Sequence, residues 1–248
     1  MENGDTEHLS WSEAATASGT YGSPNILQKV RAAVLKLLQG SHIYERDGTT
    51  FKQRPVRYTL RDKIKKVWNP GDTIIDFGGG LGGTYLNNID LFERGGFRYI
   101  VIEQEQFCEE GARIAQEFSL PLVYHRSLGQ VELKGPPKLL IFSGVLQYIE
   151  QWPEIVQQGL LLQPMHVIVD RTPLTYDQVR YFSCKYLDYY GSPASYPLQT
   201  VLESRLFSEL SDYTILAEWS SDFDPEEGNA KGYHFCHPSV SPISEHNQ

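Results

Sequence analysis

Residues 73–84 read TIIDFGGGLGGT: an apolar, β-branched run ending in an aspartate and an aromatic, then five glycines in six positions. The first half has the make-up of a buried strand. The second half is a turn stripped of side chains, which lets a ligand approach the backbone and permits dihedrals that a Cβ forbids. A helix is expected to resume near Tyr85, so the glycines join a strand to a helix N-terminus with its free N–H donors. A bound ligand is the expectation. Two spacings coexist here: Gly78, Gly80 and Gly83 fit the GxGxxG of dinucleotide sites, while Gly78, Gly80 and Gly82 fit the GxGxG of S-adenosylmethionine enzymes. The glycines by themselves leave both open.

Further along the chain, apolar runs alternate with helical spacing. RYIVIE (98–103), LPLVYH (120–125), KLLIFS (138–143) and HVIVD (166–170) read as strands, and QFCEEGARIAQEFS (106–119) and IEQWPEIVQQGLLL (149–162) as helices. That alternation predicts a parallel sheet with crossover helices. Two late strands, DYTILAEW (212–219) and GYHFCH (232–237), flank a polar link that suits a hairpin. The expected fold is therefore α/β: a doubly wound, seven-stranded, Rossmann-like sheet closed by an antiparallel hairpin. Residues 71–237 form this domain, 1–70 an N-terminal helical cap, and 238–248 a polar tail expected to be disordered. Within the cap, residues 25–38 place Ile26, Val30, Val34 and Leu37 or Leu38 on one helical stripe.

Three features bear on the choice between the methyl donor and a nicotinamide cofactor. Asp76 sits two residues before the first glycine, where a carboxylate can meet a ligand ammonium group and would repel a pyrophosphate. Glu103 ends the second strand, suited to accept from two ribose hydroxyls, a role that serves either cofactor. The terminal hairpin belongs to the methyltransferase form of the sheet. The cofactor set expected for S-adenosyl-L-methionine is Asp76, Gly78, Gly79, Gly80, Gly82, Glu103 and Ser143.

Composition excludes other classes. With 31 acidic against 22 basic residues, the net charge of −9 argues against a nucleic-acid backbone as partner. No apolar run approaches the roughly 20 residues of a membrane span. The opening MENGDTEHLS lacks a signal-peptide layout, so a cytoplasmic location is expected. Cys108, Cys184 and Cys236 are odd in number and far apart, and no metal ligand set accompanies them.

The chain resembles a family of bacterial methyltransferases whose genes often lie among those for surface polysaccharides. The shared stretches are DFGGGLG (Asp76 to Gly82) with Tyr85, LQY (Leu146 to Tyr148), DRTP (Asp170 to Pro173), YERD (Tyr44 to Asp47), SWSEA (Ser10 to Ala14) and SYP (Ser195 to Pro197). The resemblance implies the fold and S-adenosylmethionine, and says little of the acceptor. Two departures stand out: HRSLGQ (125–130) has no acid where many such enzymes bond the adenine amino group, and LQTVLESRLFSEL follows SYP where an aromatic is commoner.

Candidates for the chemistry lie past the strand ends: Tyr148, His125, Asp170 and Arg171, with Arg171 suited to an acidic or hydroxylated acceptor, or else to an ion pair with Asp170. Tyr44 and Arg46 of the cap are expected to face them and bind substrate. Residues 172–205 are rich in Tyr and Ser (Tyr176, Tyr181, Tyr186, Tyr189, Tyr190, Tyr196), which suits a sugar by stacking and hydrogen bonding, or an aromatic satellite core. The expected activity is O-methylation of a small acceptor such as a saccharide. The alternatives are a non-catalytic module that keeps the fold, and a nicotinamide-dependent enzyme.

Overall fold

The computed structural model of the protein describes residues 5–55, 58–93, 95–186, 194–221 and 230–240. In chain order the elements are β1 (Thr6–His8), α1 (Trp11–Thr16), α2 (Pro24–Leu38), β2 (Tyr44–Arg46), β3 (Thr49–Phe51), α3 (Thr59–Val67), β4 (Thr73–Phe77), α4 (Gly83–Asn87), β5 (Arg98–Ile102), α5 (Glu105–Glu117), β6 (Leu122–His125), β7 (Leu139–Ser143), α6 (Trp152–Leu160), β8 (His166–Thr175), β9 (Tyr181–Tyr186), β10 (Ala194–Gln199), β11 (Val201–Leu202), α7 (Glu203–Glu209), β12 (Thr214–Ser220) and β13 (Ala230–Cys236). The central sheet runs β12-β13-β8-β7-β4-β5-β6. Its β4 to β8 members pair in parallel, and β13 is antiparallel to both β8 and β12. This is the expected doubly wound sheet with its terminal antiparallel hairpin.

The continuous apolar runs are explained by helices on both faces. Ile74, Tyr99, Val101, Leu139, Ile141 and Ile168 point to the layer of α2, α3 and α5. Their neighbours Ile75, Ile100, Leu140, Val167 and Val169 point to the opposite layer with Val156 and Leu206. Successive side chains alternate across a strand, so one run feeds two cores. Each fully buried aliphatic side chain contributes about 1.5–3 kcal/mol.

Three boundaries differ from the sequence expectations. First, β8 does not stop at Asp170 but continues through DRTP to Thr175, with Arg171 at φ 52° bending it beside a register shift in its pairing to β13. Second, residues 1–70 are helical only in part. They carry α1, α2 and α3, but also β1 and the β2–β3 hairpin. Third, residues 172–205, expected within the 71–237 domain, also join the 1–70 cap: β1, β9 and β10 form one antiparallel three-stranded sheet. Tyr189, Tyr190, the link at 222–229 and the tail from 241 lie outside the described residues. Cys108, Cys184 and Cys236 are all buried, and no disulfide joins them.

Candidate functional site

A cavity of about 750 Å³ opens where β4, β5 and β7 end, beside Asp170 and Arg171 in the middle of β8. Its floor is the glycine turn, Gly78 to Leu81 with Gly83. Most of these glycines answer to packing. A Cβ on Gly78 would run into Val145, on Gly82 into Leu122, and on Gly79 into the Asp76 side chain. Gly80 is different: at φ 58° it has nothing within 4 Å of a Cβ position. Open cavity lies above it, a cradle that any side chain would fill.

Glu103, just past β5, reaches across this turn. Its carboxylate accepts from Gln104 N–H at 2.7 Å and from Gly80 N–H at 3.3 Å. Burial pushes it up to about 7, against the pull of those two donors. Gln104, Arg126 and Ser143 also line the cavity. Arg126, in the acid-free HRSLGQ stretch, pairs with Glu105 at 2.6 Å and Glu109 at 3.3 Å.

Asp76 departs from its expected role. Its side chain is 1% exposed and takes Tyr99 Oη–H at 3.0 Å beneath the turn, with Thr84 as a further donor. It is not among the cavity-lining residues. Burial pushes it up to about 6, and its work is to brace the loop from behind. Gly82 also lies outside the lining, packed on Leu122.

Tyr44, Arg46, Tyr148, Asp170 and Arg171 do meet in the cavity wall. What brings them together is the β2–β3 hairpin. Asp47 and Gly48 close it with φ of 50° and 78°, a two-residue turn of the primed type that Asp-Gly favours. The turn aims the Asp47 carboxylate at Arg171, 2.6 Å from its guanidinium. Asp170 does not take the guanidinium as its partner: its Oδ1 accepts from Trp219 Nε1–H at 2.9 Å and Ser221 Oγ–H at 3.1 Å. The two neighbours in DRTP therefore serve different partners, Arg171 on the cap and Asp170 on the strand hairpin.

Asn87 locks the hairpin onto α4. Its Oδ1 accepts Glu45 N–H at 2.8 Å and its Nδ2 donates to Glu45 O at 2.9 Å. The Glu45 carboxylate is thereby pressed into the cavity wall against Gly83. Opposite the hairpin stands an aromatic wall. Tyr148 meets Tyr196 edge-on at 5.3 Å and lies parallel to Tyr21 at 6.2 Å, and Tyr21 meets Tyr196 at 5.5 Å.

His125 does not join the site. It ends β6 outside the cavity lining, its Nε2 is buried with no hydrogen-bond partner among the described residues, and burial with Arg98 nearby lowers its basicity. The sequence reading missed Glu45, Asp47 and Tyr21. An Asp-Gly pair between YER and TTF is a hairpin signal and could have exposed the first two; Tyr21 carries no local signal.

No protein-family model matches the chain, and no curated protein matches it. Solved structures with a related form include a S-adenosylmethionine-dependent methyltransferase from Clostridium acetobutylicum, at 11% identity over 72% of this chain and 89% of that one, TM-score 0.49. An amino pentose methyltransferase from Micromonospora echinaspora shares 10% identity over 71% and 88% of the chains, TM-score 0.48. Magnesium protoporphyrin IX methyltransferase from Synechocystis shares 15% over 92% of both, TM-score 0.47. At these identities the likeness is one of form, and the chemistry has to come from the site itself.

Proposed function

We propose that the protein is a S-adenosylmethionine-dependent methyltransferase that methylates an oxygen of a small acceptor, with a saccharide as the favoured class. The observation that carries this is the pairing of Glu103 with open space over Gly80. An acceptor-only carboxylate there suits a ribose diol, and a bare backbone beside it suits a ligand lying flat on the turn. The residues present fit the cofactor: Gly78, Gly79, Gly80, Glu103 and Ser143 would hold it. A pyrophosphate on the glycine turn is disfavoured by the Glu45 carboxylate, which lies against Gly83.

When bound, the cofactor supplies an electrophilic methyl group on a sulfonium. The chain's part is orientation and exclusion of water. Tyr21, Tyr148 and Tyr196 offer faces for stacking, while Tyr44, Arg46 and the Asp47–Arg171 pair offer polar contacts to a hydroxylated acceptor. One observation favours the alternative of a binding module without turnover. Of the candidate bases, His125 is outside the cavity and Asp170 is held by two donors.

Calorimetric titration with S-adenosylhomocysteine and with NAD tests the cofactor: the first should bind and the second should not. In the Glu103→Gln variant affinity for S-adenosylhomocysteine should fall about tenfold or more, the worth of a charge-assisted hydrogen bond. Transfer of a labelled methyl group to a panel of sugars and sugar nucleotides separates enzyme from binding module.

A further inference from the structure

Five carboxylates line the cavity: Asp5, Glu45, Asp47, Glu103 and Asp170. Asp47 is paired with Arg171, Asp170 is held by Trp219 and Ser221, Glu103 takes two backbone N–H groups, and Asp5 is exposed at the rim. Glu45 differs from these. It is 7% exposed, and the hydrogen bond on its carboxylate is a long one, from Gly48 N–H to Oε2 at 3.3 Å. Its Oε1 lies against Gly83, three residues along the glycine turn from the Gly80–Glu103 contact.

A carboxylate taken out of water and given one neutral donor carries an uncompensated desolvation cost, and a cation bound beside it removes that cost. Burial first, and Asp47 next to it second, push Glu45 up to about 7, the sign of an anion short of positive charge. The Arg171 guanidinium, which pulls Glu45 the other way, is already engaged by Asp47. Meanwhile Asp76, the acid expected to meet an ammonium group, is behind the loop and bonded to Tyr99.

We propose that Glu45 holds the α-ammonium group of the cofactor's amino-acid portion, so that the cap hairpin forms part of the cofactor site. This rests on the S-adenosylmethionine reading given above. Two positions on the turn then divide the ligand: Glu103, at Gly80, takes the ribose and Glu45, at Gly83, takes the amino acid. A nucleoside without an amino acid reaches Glu103 but leaves Glu45 idle, and the site discriminates between the two.

The test measures S-adenosylhomocysteine and 5′-methylthioadenosine, which lacks the amino acid, on the wild type and on Glu45→Gln. The expected result is that Glu45→Gln weakens S-adenosylhomocysteine about tenfold or more while methylthioadenosine changes by less than about twofold. Equal losses for both ligands, or none for either, overturn the proposal and leave Glu45 as a structural group. If the wild type binds neither ligand, the cofactor reading fails, and this proposal fails with it. Should Glu45→Gln not fold, as judged by circular dichroism, the wild type alone decides. Deaminated S-adenosylhomocysteine should bind about tenfold or more weaker than the parent, and equal affinity overturns the assignment.

Discussion

Gly80 is the residue at which fold and ligand make separable demands. Around it, glycines are required because Val145, Leu122 or the Asp76 side chain occupies the Cβ position, and substitution there disturbs packing. At Gly80 the space is vacant, so a Cβ meets no protein atom within 4 Å and the strain comes from the left-handed φ of 58°. A valine should cost about 1–3 kcal/mol of stability as backbone strain. The variant should keep its circular dichroism spectrum and lose S-adenosylhomocysteine binding in calorimetry. Binding at unchanged affinity would place the ligand elsewhere.

The hairpin β2–β3 does the joining at the scale of elements. One turn residue pairs with Arg171, the preceding strand is bolted to Asn87 of α4, and Glu45 is carried into the wall between them. The Asp47–Arg171 pair has side chains 46% and 22% exposed, so its contribution to stability is screened. Asp47→Asn keeps a residue that the primed turn accepts and removes only the charge. Its melting free energy should drop by no more than about 1 kcal/mol. Gly48→Val attacks the turn itself: φ is 78°, and the Cβ would sit 2.8 Å from Lys29 Cγ. That variant should lose more, about 1–3 kcal/mol, and bind S-adenosylhomocysteine more weakly. Denaturant unfolding of the two side by side checks the order, and equal losses would mean that the turn geometry is unimportant.

Over the whole molecule, the two ends of the sheet titrate in opposite directions. At the carboxyl ends, burial raises Glu45 and Glu103 to about 7 and Asp76 to about 6. The folded protein keeps these protons where the unfolded chain has released them. Their contribution to stability is full at acid pH and is lost as the pH rises through 6 to 7. At the amino ends, His166 of β8 and His234 of β13 share a buried hydrogen bond of 3.1 Å. Burial lowers them to about 4 and about 3 from an ordinary 6.5, and Lys138 adds to the effect on His166. Here the unfolded chain binds more protons below 6.5, so stability is lost as the pH falls from 6.5 through about 4. The difference between wild type and His234→Phe isolates this pair, because the carboxylates are common to both. At pH 7.5 the variant should be less stable by about 1–2 kcal/mol, since His166 Nδ1 loses its partner. At pH 5 the gap should narrow. Urea midpoints at the two pH values measure it, and a constant gap would show that the pair does not titrate.

The sequence by itself determined the sheet, its terminal hairpin, the glycine turn and the acid at the end of β5. These follow from periodicity and from the residue types a turn admits, and both are properties of a few consecutive residues. The helix α2, with Ile26, Val30 and Val34 buried, was legible for the same reason. Only the tertiary structure decided which polar groups face the cavity. Asp76 is one strand position from Phe77, which lines the cavity, so it falls on the other face of β4, where Tyr99 on the neighbouring strand donates to its carboxylate beneath the loop. Glu45 is far from the turn in sequence and reaches it because Asn87 seizes its backbone. The join of residues 6–8 to 181–186, and the meeting of Tyr21 with Tyr148 and Tyr196, likewise depend on partners distant along the chain. Local spacing encodes what a segment can become; where its side chains go depends on what packs across from it.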